Sequence, residues 1–295
     1  MKHPIFTGTS TAIVTPFNDG GVNFTVLGQL IDRQIESGVS AITVCGTTGE
    51  SSTMTRDERS ETIRYAVKRA AGRVRIIAGT GSNDTEKALT LSLDAQNAGA
   101  DALLLVTPYY NKTTQTGLIE HYIYIADRVS IPIILYNVPS RTGMTIQPDT
   151  CAALSRHPRI NGIKEASGDI ANVQRIIALC GDELNVWSGC DELTAAMMAV
   201  GAKGVISVLS NVIPREMSNL TAACLHGDFK TAAELQLKYV HLIDLLFSEV
   251  NPIPVKAAMK LLGYDAGKPR RPLAEMTKQG REKLRAELTR LSIEN

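Results

Sequence analysis

Short apolar runs alternate along this chain with longer stretches in which apolar residues recur at three- and four-residue steps. The short runs predict strands at Ser10–Val14, Ala41–Cys45, Val74–Ala78, Ala102–Val106, Ile131–Tyr136, Gly162–Lys164, Leu184–Trp187 and Gly204–Val208. The periodic stretches predict helices, among them Val26–Ser37, Arg56–Ala71, Asp84–Ala98, Gly117–Arg128 and Asp191–Val200. Gly38, Gly72, Gly99, Gly181 and Gly201 follow such stretches as C-terminal stops. Strand-then-helix units imply parallel pairing, because each return to the sheet needs a crossover. Eight such units predict an α/β fold, a closed (β/α)₈ TIM barrel. An open doubly wound sheet is the competitor. Its glycine-rich fingerprint is missing from the first turn, Thr15-Pro16-Phe17-Asn18-Asp19-Gly20.

From Asp228 onward the rhythm changes. Phe229–Val250, Pro252–Leu262 and Pro272–Leu291 read as three helices with no strand between them. Asn251-Pro252 and Gly267-Lys268-Pro269 punctuate them. The expected organisation is a catalytic barrel over 1–227 and an all-helical C-terminal appendage over 228–295.

Charge narrows the partners. The 31 basic and 30 acidic side chains leave a net charge of +1, which gives no support for nucleic acid or a membrane surface. A small-molecule partner fits better. The five cysteines, Cys45, Cys151, Cys180, Cys190 and Cys224, are scattered and include no CxxC pair. They read as reduced thiols of a cytoplasmic protein, with no structural metal site. The N-terminal stretch lacks the apolar core of a signal peptide, and no apolar run approaches membrane-spanning length.

The candidate chemistry lies at the strand ends, which in a barrel form the catalytic face. Lys164 ends strand six, in Ile160-Asn161-Gly162-Ile163-Lys164-Glu165. An amine held there partly out of water can attack a carbonyl carbon. A salt bridge to Glu165 is disfavoured, since adjacent strand residues face opposite sides. Cys45-Gly46-Thr47-Thr48-Gly49-Glu50 follows strand two, with open backbone NH groups and two hydroxyls suited to a carboxylate. Tyr109 and Tyr110 follow strand four, and a tyrosine hydroxyl in a closed site can pass protons. Tyr136 ends strand five, and Arg141 in the next loop offers a planar fork for a second carboxylate. Gly189 would let a ligand approach closely, and Ile206 could offer a backbone carbonyl. Each motif alone is also an ordinary turn, packing pair or solvated cation. Their joint placement after successive strands favours a site. His3, His121, His157, His226 and His241 show no ligand spacing and read as structural or surface residues.

With these residues in place the chain resembles the dihydrodipicolinate synthases of the pyruvate-dependent class I lyase family. The matching stretches are Gly46–Glu50, Pro108–Tyr110, Tyr136–Gly143, Ile163–Gly168, Ser188-Gly189 and Asn251–Lys256. The resemblance implies that Lys164 forms an imine with pyruvate. It implies that Thr48 holds the pyruvate carboxylate with help from Ile206. Thr47, Tyr136 and Tyr110 would relay protons, and Arg141 would grip L-aspartate 4-semialdehyde. No metal or cofactor is implied beyond that covalent imine. The product would be 4-hydroxy-tetrahydrodipicolinate, a precursor of diaminopimelate and lysine. A homotetramer, a dimer of dimers, is implied as well, with Tyr110 reaching into a neighbour's site.

One departure stands out. In lysine-inhibited relatives the positions of Ser51, Ser52, Arg56, Arg59, Asn83, Lys87 and Tyr109 line an effector site, with a glutamate where this chain has Lys87. A cation there should repel the lysine ammonium, so feedback is expected to be weak or absent. Two rivals are another pyruvate-dependent aldolase, such as N-acetylneuraminate lyase, and a non-catalytic ligand-binding barrel. Arg141 tells against the first, because a polyhydroxylated substrate calls for neutral partners. Intact Lys164, Tyr136 and Tyr110 tell against the second.

Overall fold

A computed structural model describes residues 1–293. Eight parallel strands close a barrel. They are β1 (Gly8–Ala12), β4 (Ala41–Val44), β5 (Arg75–Gly79), β6 (Ala102–Val106), β7 (Ile133–Asn137), β8 (Ile160–Glu165), β9 (Asn185–Ser188) and β10 (Gly204–Ser207). Each pairs with its sequence neighbour, and β1 closes the ring by pairing with both β10 and β4. Two short strands, β2 (Phe17–Asn18) and β3 (Gly21–Val22), form a hairpin outside it. The expected barrel is therefore present.

The outer ring runs from α1 (Phe24–Glu36) through α2 (Arg56–Ala70), α3 (Thr85–Asn97), α4 (Gln115–Ala126) and the short α5 (Pro139–Thr142). It continues with α6 (Pro148–Ser155), α7 (Ile170–Cys180), α8 (Thr194–Ala199) and α9 (Pro214–Leu225). Several of these helices start where the sequence supplies a cap. Asn23, Thr55, Asp84, Thr114 and Asp169 each accept a backbone NH from the first turn, and Thr55 completes a capping box with Glu58. The C-terminal helices are α10 (Phe229–Lys238), α11 (Val240–Leu246), α12 (Ile253–Leu261) and α13 (Lys278–Arg290).

Some boundaries differ from the sequence pattern. The first strand starts at Gly8 and stops at Ala12, because the Val14 NH donates to the Asn211 side chain rather than to a neighbouring strand. The predicted Asp191–Val200 helix opens with a 3₁₀ turn over Asp191–Leu193. The predicted Phe229–Val250 helix is interrupted at Tyr239, whose φ of −106° and ψ of 5° leave the helical range. The last helix begins at Lys278 rather than Pro272. There the Thr277 side chain caps the Gly280 NH, and Glu249 accepts the Thr277 hydroxyl.

The barrel interior is filled, as the fold requires. Phe6, Ile77, Leu104, Ile134, Tyr136, Trp187 and Ile206 form one buried cluster there. Trp187 stacks on Phe6 with ring centroids 5.0 Å apart, and its Nε1 donates to the Phe6 carbonyl. Gly162 shares the inward face with Lys164, and a Cβ on it would collide with the Trp187 ring. That packing fills the barrel interior at this level.

Candidate active site

Register sets the centre of the site. Tyr136 of β7, Lys164 of β8 and Trp187 of β9 are successive Cα partners around the barrel. Residues at one level of a parallel sheet share a face, so all three point inward. Lys164 is only 5% exposed, and its Nζ lies 4.6 Å from the centroid of the Tyr136 ring.

The alternate residues face the helices. Asn137 pairs in register with Glu165 and donates to its Oε2 at 2.7 Å, and the Ser167 NH donates to Oε1 at 2.7 Å. Glu165 is thus committed to the outer face, away from Lys164. Burial raises its pKa above the ordinary carboxylate value. Gly189 makes room for the lysine itself, since a Cβ there would sit 2.6 Å from Ala166 Cβ and 2.9 Å from Lys164 Cε.

Above Lys164 opens a cavity of about 280 Å³, lined by Thr47, Thr48, Tyr136, Arg141, Lys164, Gly189 and Asn251 among others. The loop after β4 supplies the threonines. It turns tightly, with Cys45 at φ 53° and Glu50 at φ 55°, both in the left-handed region. The Glu50 NH closes the turn on the Thr47 carbonyl at 3.0 Å. Thr48 is buried, and its Oγ1 accepts from Asn251 Nδ2 at 3.0 Å. Arg141, on α5, donates to the Asn251 carbonyl at 3.3 Å and has no carboxylate partner among the described residues. Arg141 and Lys164 against Glu192 leave the lining with an excess of positive charge, which favours an anionic ligand.

A profile of the dihydrodipicolinate synthetase family matches residues 5–291. The chain belongs to that family. A 4-hydroxy-tetrahydrodipicolinate synthase of Caldicellulosiruptor saccharolyticus is 53% identical over 286 residues, which cover 97% of each chain. The crystal structure of dihydrodipicolinate synthase from Aquifex aeolicus superposes with a TM-score of 0.96 at 46% identity, covering 98% of this chain and 99% of that one. The crystal structure of the Cyanidioschyzon merolae enzyme with lysine bound gives a TM-score of 0.95 at 36% identity, covering 99% and 100%.

Among the residues expected at a family site, Thr47, Thr48, Tyr136, Arg141, Lys164 and Gly189 meet around one cavity. Ile206 lies just below, fully buried in the interior cluster, and Val208 lines the cavity from that strand's end. Tyr110 stands apart. It is 92% exposed, at φ 70°, and does not line its own chain's cavity.

The expected effector residues lie outside the cavity. Ser51 and Ser52 form a 3₁₀ turn, and Asn83 accepts from Asn111 through its carbonyl. Arg56 is held by both oxygens of Asp94, at 2.6 and 2.8 Å. Arg59 is buried and donates to the Gly79 carbonyl. Lys87 is exposed. Tyr109 is 37% exposed.

The thiols are inert by environment. Burial pushes Cys45 and Cys190 up to about 12. His121 is buried on α4 against Thr85, and burial pushes it down to about 4. Among the described residues no three His, Cys, Asp or Glu side chains are placed to hold a metal ion, and no helix is long and apolar enough to cross a membrane.

Sequence reasoning passed over Asn251 as a site residue. Its signal was present: a polar residue before a proline, within one of the family-matching stretches. Its contact with Thr48 spans 203 positions, which no local pattern reports.

Proposed function

We propose that the chain condenses pyruvate with L-aspartate 4-semialdehyde to give 4-hydroxy-tetrahydrodipicolinate. The observation that carries this reading is the amine of Lys164, buried 4.6 Å from the Tyr136 ring centroid in a cavity that also holds Thr48 and Arg141. In this reading Lys164 Nζ adds to the keto carbon of pyruvate. Loss of water then gives an imine, whose electron demand allows a methyl proton to leave. The enamine carbon attacks the aldehyde. The amino group of the second substrate next displaces Lys164, which closes the ring and frees the enzyme.

Tyr136 donates and accepts protons through these steps, in a relay with Thr47 and Tyr110. Thr48, whose oxygen already accepts from Asn251, keeps its own proton to donate to the pyruvate carboxylate. Arg141, free of any acidic partner among the described residues, binds the carboxylate of the semialdehyde. Because Tyr110 is exposed and outside its own cavity, a second copy of the chain would present it to the neighbouring site, within a dimer of dimers. The free thiols fit a reducing, cytoplasmic setting.

The lysine effector site reads as degraded. Lys87 places a cation where an ammonium would dock, and Arg56 is committed to Asp94.

The test is a substrate comparison at saturating pyruvate. Aspartate semialdehyde should be consumed at a rate that sugar aldehydes do not approach. A preference for a sugar aldehyde would refute the reading.

A further inference from the structure

The Gly46–Glu50 turn is gripped by a part of the chain that lies far away in sequence. Glu50 is 3% exposed, and its Oε1 lies 2.7 Å from Lys256 Nζ. Its Oε2 accepts from the Arg270 backbone NH, also at 2.7 Å. Lys256 is 2% exposed and donates further to the carbonyls of Thr15 and Lys268. The Thr15 hydroxyl in turn donates to the Gly49 carbonyl at 2.7 Å. The same C-terminal stretch supplies Asn251 to Thr48. It also supplies the Arg270 guanidinium, which forks onto Glu58 just beyond the loop.

Two physical arguments give this network a purpose. Removing a lysine and a glutamate from water is costly, and a buried pair is often no more stabilising than apolar residues of the same size. Stability alone therefore does not account for it. A glutamate at φ 55° is also strained, and such strain persists only where the surroundings over-determine the conformation. The two grips on the Glu50 carboxylate do that. Glu50 is the residue whose NH closes the turn on Thr47, so fixing its side chain fixes the turn that presents Thr47 and Thr48.

We propose that Lys256 and Glu50 are positioning residues, which hold the Thr47–Thr48 turn in the shape that binds the keto-acid carboxylate without touching the substrate. The inference rests on the function proposed above. It makes the C-terminal segment from Asn251 to Arg270 a working part of the pyruvate half of the site.

Two variants separate positioning from bulk stability. Glu50→Gln keeps the length but sets an NH₂ group against one of two donors. Glu50→Asp keeps the charge beside Lys256 but is one methylene too short to reach both partners. Lys260→Met, an exposed position one turn further along α12, is the control. The readout is the pyruvate concentration that half-saturates borohydride trapping at Lys164, taken alongside the melting temperature. Each Glu50 variant should raise that concentration roughly tenfold, the scale of a lost charge-assisted hydrogen bond passed on in part. The KM for the aldehyde should stay near that of the parent enzyme, and the control should match the parent throughout. Folded variants with unchanged half-saturation, whatever their melting temperatures, overturn the inference. Failure of the parent enzyme to trap pyruvate overturns the underlying function instead, and the inference with it.

Discussion

The floor of the cavity and its outer flank differ in how much one chain completes. At the floor, Lys164, Tyr136 and Thr48 are buried, fixed by strand register and by Asn251. On the flank, Tyr110, Tyr109 and Lys87 are exposed, and Tyr110 is not among the residues that line the cavity. The lesson is a division of labour. Bond-forming groups need fixed geometry, which the barrel core supplies. Under the proposed function, the rim groups that would relay protons or bind effectors are left for a second copy of the chain to complete.

That comparison can be broken at several points. Tyr136→Phe removes the hydroxyl proposed to carry protons at the floor and should lower kcat by about 10³-fold, within the usual range for general acid–base groups. Steady-state kinetics at saturating substrates would show it, and a loss of only a few-fold would place the proton transfer elsewhere. Tyr110→Phe should cost about 10²-fold, with little change in melting temperature because the ring is solvent-exposed in the single chain. Mixing this variant with Lys164→Ala subunits under exchange should restore activity, since mixed dimers would hold one complete site. No recovery would mean that Tyr110 serves its own chain or none. Arg141→Ala should raise the KM for aspartate semialdehyde by about tenfold or more and leave that for pyruvate in place. A matching rise for pyruvate would contradict the assignment of the arginine to the semialdehyde alone. Smallest of all, submillimolar L-lysine should leave the rate unchanged, and Lys87→Glu should introduce measurable inhibition. Inhibition of the parent enzyme would show that the flank binds lysine despite its cation.

The difference between floor and flank also separates what the sequence discloses from what it hides. The barrel was legible because short apolar runs and periodic helices alternate, and because strand alternation fixes which residues face inward. Glu165 illustrates this: its position next to Lys164 put it on the other face, and it is found bonded to Asn137 and Ser167. Helix ends were less legible where capping decided them, as at Thr277. The need for Gly162 is likewise tertiary: a Cβ there would collide with the Asn185 carbonyl and the Trp187 ring.

The hold on the threonine turn was invisible locally. Its contacts join positions separated by 203, 206 and 220 residues. The exposure of Tyr110 and its left-handed φ of 70° are set by the fold around it, which composition does not encode.

The central claim is that Lys164 forms an imine with pyruvate. Incubation with pyruvate and borohydride, followed by peptide mass spectrometry, tests it directly. The account predicts one adduct at Lys164, equal in mass to pyruvic acid less one oxygen, and none in Lys164→Ala. An unmodified Lys164, or an adduct that persists in Lys164→Ala, would contradict it.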